Sequence, residues 1–300
     1  MRRKLWLTAG LLLLLPRCRS LEQHTVERRM EFGGLSRRYL IHVPPNVTRP
    51  APLVLMFHGG LSDAPGAEMT ATWSQLSDRE GFIVVYPEGP ERNWHDGRVI
   101  EPETGRDDVA FVAAVLDEVM KEHAIDGKMI FSTGISNGGF FSNYLAARLS
   151  TRIAAIAPVV GGIREPFHRE FKPEKPVSVL LIMGTDDPLV PYGGGPVAKN
   201  RGSCLSAEQS ARMWHEANRC RPEPVKDELE DKDPNDGCKV KRSTWSDGKD
   251  GTEVVLLTIE GGGHTWPSGT QYLPKVFIGP VCRDFDTDFI WQWLKSHARK

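Results

Sequence analysis

Residues 134–138 read Gly134-Ile135-Ser136-Asn137-Gly138, a serine with a glycine two positions away on either side. An apolar stretch precedes it and a helix-compatible stretch follows. That context suits a nucleophile held on a sharp strand-to-helix turn. The flanking residues must be small because the turn leaves no room for bulk. The helix N-terminus then points its amide groups at developing negative charge. A serine hydroxyl is a poor nucleophile until a base takes its proton. Of nine histidines, His264 stands in Gly261-Gly262-Gly263-His264-Thr265-Trp266-Pro267, a flexible loop directly after the last apolar run. The others are placed less well. His24 and His42 lie in an opening hairpin, His123, His215 and His297 on helical stretches, and His168 in a proline-flanked charged loop. His58 and His95 precede the serine, whereas the acid and the base of a strand–turn–helix serine enzyme follow it.

The acid is expected in Gly184-Thr185-Asp186-Asp187-Pro188, after another apolar run, with Asp187 preferred and Asp186 the runner-up. Its carboxylate would orient the imidazole and stabilise the cation without itself taking the proton. Two donors must also face the oxyanion. The N–H of Asn137 follows the nucleophile, and Gly60 in Phe57-His58-Gly59-Gly60-Leu61 is the expected second donor, with His58 bracing that loop. The chemistry these residues suit is acyl transfer by Ser136, His264 and Asp187, with no metal and no cofactor.

The elements that must hold these groups are strands alternating with helices. Residues 24–43 contain two alternating runs that suit an antiparallel hairpin. Continuous apolar runs at 53–57, 82–86, 153–160, 177–183 and 254–259, with a shorter one at 128–132, read as strands buried on both faces. Helical patterns cover 67–79, 109–120, 140–149 and 204–218. A C-terminal helix follows Asp284, Asp286 and Asp288, with Phe285, Phe289, Trp293 and Leu294 along one face. Residues 221–250 are highly charged and read as a solvated loop with at most one strand, which makes 254–259 the final strand. The alternation predicts an α/β protein with a mostly parallel central sheet and helices on both faces.

Composition narrows the function. Charged residues are 26% and hydrophobic residues 40% of 300, values of an ordinary globular chain rather than a disordered or multi-span membrane protein. Lys plus Arg number 38 against 39 Asp plus Glu, so there is no basic field to hold nucleic acid. Arg2, Arg3 and Lys4 followed by the apolar run 5–15, Pro16 and Ser20 read as an export signal over residues 1–20, too short to span a core of roughly 30 Å. Residues 21–300 are then a single catalytic domain. Export makes Cys204, Cys220, Cys238 and Cys282 candidates for two disulfides. A Cys220–Cys238 bridge would staple the polar segment and leave Cys204 with Cys282, although all three pairings stay open. No CxxC spacing points to zinc.

The chain resembles the secreted esterase family that joins feruloyl and acetylxylan esterases to polyhydroxybutyrate depolymerases. The matching pieces are FHGG, NWHDGR, DDVAF, GISNGG, GTDDPLVPY and GGGHTWP, spread over residues 51–295. The resemblance implies an α/β-hydrolase fold, with the triad falling on Ser136, Asp187 and His264. Depolymerases of the family often show a cysteine after the HG pair, where this chain has Gly60. GGGHTWP is similar to the feruloyl esterases, and Trp94 and Trp266 would flank an aryl acyl group. The expected substrate is a hydroxycinnamoyl (feruloyl-type) ester on plant polysaccharide, met outside the cell or in the periplasm, with no nucleic-acid or membrane partner. A polyhydroxyalkanoate depolymerase and an acetylxylan esterase are the enzyme alternatives. An inactive hydrolase-fold binding module is the non-enzyme one, and no triad member is missing for it.

Overall fold

The structure, a computed structural model, describes residues 24–99, 106–198 and 200–300. The expected export segment lies outside the described residues. Strands β1 (Thr25–Phe32) and β2 (Leu35–His42) open the chain as an antiparallel pair. Then come β3 (Ala51–Phe57), α1 (Ala64–Thr70), α2 (Trp73–Glu80), β4 (Ile83–Pro87), α3 (Asp108–Glu122), β5 (Ile125–Ile135), α4 (Asn137–Arg148), β6 (Ala155–Val159) and β7 (Ser178–Gly184). A two-residue ladder joins β8 (Gly195–Pro196) to β9 (Ser203–Cys204). The chain ends with α5 (Ala207–Asn218), β10 (Val225–Glu228), β11 (Lys239–Trp245), β12 (Val254–Glu260), α6 (Lys275–Ile278) and α7 (Thr287–Ser296).

Ten strands form one sheet in the order β1-β2-β4-β3-β5-β6-β7-β12-β11-β10. The six from β4 to β12 run parallel, and the antiparallel pairs β1-β2 and β11-β10 flank them. Successive side chains of a strand point to opposite faces. In β3, Leu53, Leu55 and Phe57 accordingly pack with α3, α4 and α5, while Val54 and Met56 pack with α1, α2 and α7. Each such fully buried side chain contributes roughly 1.5–3 kcal/mol. This is an α/β-hydrolase architecture, a mostly parallel sheet with three helices on either face.

Parallel pairing brings the carboxyl ends of the strands to one edge. Phe57 pairs with Gly134, and Gly184 with Ile259. The loops after β3, β5, β7 and β12 therefore leave the sheet side by side, carrying residues 58–61, 136, 185–191 and 261–267.

Three features differ from the sequence expectation. The helix expected at 67–79 is two helices, broken at Ala71 and Thr72. Residues 221–250 hold two strands rather than one at most. β10 is fully exposed at the sheet edge, where charged side chains reach water, and β11 buries only Val240 on one face and Trp245 on the other. The buried face of α7 is Ile290, Trp291 and Leu294, with Phe289 and Trp293 only half-buried, because the helical repeat centres the inward stripe there.

Candidate active site

Ser136 sits between β5 and α4 with φ 57° and ψ −118°, a backbone conformation that costs a residue other than glycine about 1–3 kcal/mol. Its N–H donates to Val159 O at 2.9 Å, and its carbonyl accepts from Phe140 N–H at 2.9 Å. The turn lies hard against the end of β3. A Cβ on Gly138 would fall 2.3 Å from Phe57 O, and one on Gly134 would fall 2.7 Å from the Gly138 carbonyl carbon. Both glycines are therefore steric requirements of this turn.

Asp187 is buried on the loop after β7, and its Oδ2 lies 2.7 Å from His264 Nδ1. Its Oδ1 accepts the N–H groups of Leu189 at 2.8 Å and Val190 at 2.9 Å. An acceptor on Nδ1 places the imidazole proton there and leaves Nε2 its lone pair. Asp186 is exposed and accepts only the neighbouring Thr185 hydroxyl at 2.9 Å. His264 is fixed by its main chain: its N–H donates to Ile278 O at 2.5 Å, and its carbonyl accepts the Tyr272 hydroxyl at 2.9 Å.

Ser136, His264, Gly60 and Trp266 line one cavity of about 480 Å³, whose other walls include Leu61, Met69 and Val190. Trp266 is held from behind by Thr287, which accepts its indole N–H at 3.0 Å. Trp94 does not join it, and its expected role beside an acyl group is corrected. It is 1% exposed, stacked on Phe141 at 4.6 Å and edge-on to Phe57 at 5.1 Å, and its indole donates to His58 O at 3.2 Å. The aromatic bulk that suggested stacking is spent on the core. His58 braces two loops. Its Nδ1 donates to Gly59 O at 2.8 Å, its Nε2 accepts Gly89 N–H at 3.0 Å, and burial lowers its pKa. Asn137 begins α4, so its N–H is one of the unbonded first-turn donors.

A buried network beneath the site went unread in the sequence. The Asn137 side chain accepts Trp94 N–H at 2.8 Å and donates to Asp96 Oδ2 at 2.8 Å. Asp96 also takes both Arg98 and Arg164, the latter at 2.7 Å with both partners almost wholly buried. Burial alone would raise this carboxyl, but Arg164 and Arg98 outweigh it and pull it down to about 2. The residue after Ser136 is thereby tied to the loop after β4. Asp96 lies within NWHDGR, so its motif could have drawn attention; Arg164, 68 residues away, carried no such signal.

The cysteines are placed differently from the favoured Cys220–Cys238 staple. Among the described residues all four thiols are free. Cys238 and Cys282 meet, with the Sγ atoms of both and a carboxylate oxygen of Asp236 within 4.8 Å of one another. Cys238 and Cys220 lie on opposite faces of the sheet, which separates the pair expected to form the staple. Cys204 and Cys220 stand at opposite ends of α5.

The sequence profile described as Esterase PHB depolymerase matches residues 37–169. A putative esterase, NocK, of Nocardia uniformis subsp. tsuyamanensis is 30% identical over 278 residues, 88% of this chain and 80% of that protein. This chain belongs to the PHB depolymerase-type esterase family. The chain is also similar to feruloyl esterase B of Piromyces equi, 28% identical over 78% of this chain, of whose length the chain spans only 43%. The solved acetyl xylan esterase of Aspergillus awamori shares the fold, with a TM-score of 0.61 over 90% of this chain and 99% of that one at 15% identity. As a PHB depolymerase-type esterase the protein is a carboxylic ester hydrolase. No helix among the described residues is long and apolar enough to cross a membrane.

Proposed function

We propose that this protein is an exported serine esterase that hydrolyses hydroxycinnamoyl (feruloyl-type) esters of plant polysaccharide through an acyl-enzyme. The observation that carries the proposal is the His264–Asp187 bond on the wall of the cavity that Ser136 also lines. Ser136 Oγ attacks the ester carbonyl while His264 Nε2 takes its proton. The amides of Gly60 and Asn137 receive the oxyanion. The imidazolium, stabilised by Asp187, then protonates the leaving alkoxide. Water enters, gives its proton to His264 and releases the acid. An aromatic acyl group would lie against Trp266 and the apolar wall, a contact worth about 0.5–1.5 kcal/mol for a ring pair beyond its buried area. The names of the relatives support an ester substrate of this kind, and the basic and apolar pattern of residues 2–20 supports export.

A substrate panel tests the specificity. Hydrolysis of methyl ferulate, with no clearing of a polyhydroxybutyrate suspension, is the expected outcome. Clearing of the suspension without ferulate release would make the protein a depolymerase instead.

A further inference from the structure

The cavity that takes Ser136 and His264 contains a single Lys, Arg, Asp or Glu among its described lining residues, and that residue is Arg201. No described protein group pairs with its guanidinium. The position of that guanidinium is unusual. A Cβ built on Gly60 would fall 2.2 Å from Arg201 Nη1 and 3.3 Å from its Cζ. The arginine therefore occupies the volume that any side chain at position 60 would need, immediately beside the oxyanion loop. Its main chain is anchored from below, since Arg201 O accepts from Nη1 of Arg164 at 2.9 Å and Arg164 is itself held by buried Asp96. Val197 N–H donates to Gly202 O at 2.8 Å and closes the loop. A buried ion pair thus presents a cation to a cavity whose other walls include the apolar Leu61, Met69, Ile135, Val190 and Trp266 and the hydroxyl-bearing Ser62, Thr70, Thr270 and Tyr272.

We infer that Arg201 is a specificity-determining residue that selects esters bearing a free carboxylate close to the scissile bond. A guanidinium is permanently charged, and its planar fork matches a carboxylate with two parallel hydrogen bonds. The partly dry, apolar surroundings strengthen that attraction relative to bulk water. The carboxylate of a uronic acid on the alcohol side and that of a diacid or hydroxyacid chain on the acyl side present the same chemistry. The inference rests on Ser136 being the nucleophile of this cavity.

Two matched substrate pairs separate the sources. Monoethyl glutarate against its terminal amide carries the charge on the acyl side, and acetoxyacetate against acetoxyacetamide carries it on the alcohol side. In at least one pair, kcat/KM for the acid should exceed that for the amide by about tenfold or more. That ratio should fall with added salt, collapse in Arg201→Gln and survive in part in Arg201→Lys. Thermal melts of both variants check folding. A ratio near one in both pairs, or a preference that persists in Arg201→Gln, overturns the inference. So does equal slowing of acid and amide, which would assign the cation to the oxyanion or to the fold. Ser136→Ala is run alongside. Turnover surviving in it defeats the nucleophile assignment, a result separate from the ratio measured in the parent enzyme.

Discussion

His264 and Asp187, 77 residues apart in the chain, meet through a 2.7 Å contact between Nδ1 and Oδ2, and the second carboxylate oxygen of Asp187 is committed to two backbone amides. The acid is thus fixed in one orientation, and the imidazole in one tautomer. Asp187→Asn would offer Nδ1 an amide N–H and favour the opposite tautomer, with an expected loss of about 10⁴-fold in kcat. Asp186→Asn, altering an exposed carboxylate, should leave kcat within a few-fold. Steady-state kinetics on one ester compare the two variants, and the opposite ranking would transfer the role of the acid to Asp186.

Ser136 carries backbone strain that glycine would not feel. Ser136→Gly should therefore be more stable than Ser136→Ala by about 1 kcal/mol, the strain relieved exceeding the extra entropy glycine loses on folding. Urea unfolding of the two inactive variants measures the difference. An Ala variant of equal or greater stability would mean the turn is not strained.

Asp96 has a folded-state pKa depressed to about 2 from an ordinary value of 3.8. The sign follows from linkage: its stabilising contribution is complete above pH 3.8 and is lost as pH falls through the folded pKa. Asp96→Asn leaves Arg164 buried without its counter-charge and should destabilise the fold by about 3–5 kcal/mol at neutral pH. The gap between parent and variant should stay constant from pH 7 to about pH 4 and narrow below that. Denaturant melts across pH read it, and a gap that widens in acid would contradict the assignment.

Oxidation should join Cys238 to Cys282 and no other pair. Cys204 and Cys220 are kept apart by α5, whose 12 residues span roughly 18 Å. Peptide mapping of protein oxidised by oxygen or glutathione disulfide should find one bridge and two free thiols. A Cys220–Cys238 bridge would require the sheet to be assembled differently.

The site was legible where its chemistry is written locally. Gly134, Ser136 and Gly138 lie within five residues, and the run Gly261–Gly263 marks the His264 loop, so short spacing alone carried the signal. The parallel core was legible because strands buried on both faces are continuous apolar runs. What could not be read depends on long-range packing. Arg164 reaches Asp96 across 68 residues, and neither charge announces that it is buried. The charges of β10 and β11 belong to a sheet edge but read as loop. Trp94 and Trp266 look alike in sequence and are equally buried, and only their neighbours separate them: Trp94 packs on Phe57 and Phe141, Trp266 forms a cavity wall. The two cysteines that meet do so because β11 and the loop before α7 share a face of the sheet, a relationship no spacing encodes.

The most direct test of the mechanism is to trap the acyl-enzyme. The enzyme is mixed with a slowly deacylated aryl ester, quenched in acid within the first turnovers, digested and mapped by mass spectrometry. The acyl mass is expected on the peptide containing Ser136, and is expected to be absent, together with turnover, in Ser136→Ala. An acyl group on another residue, or ester hydrolysis undiminished in Ser136→Ala, would contradict nucleophilic catalysis by Ser136.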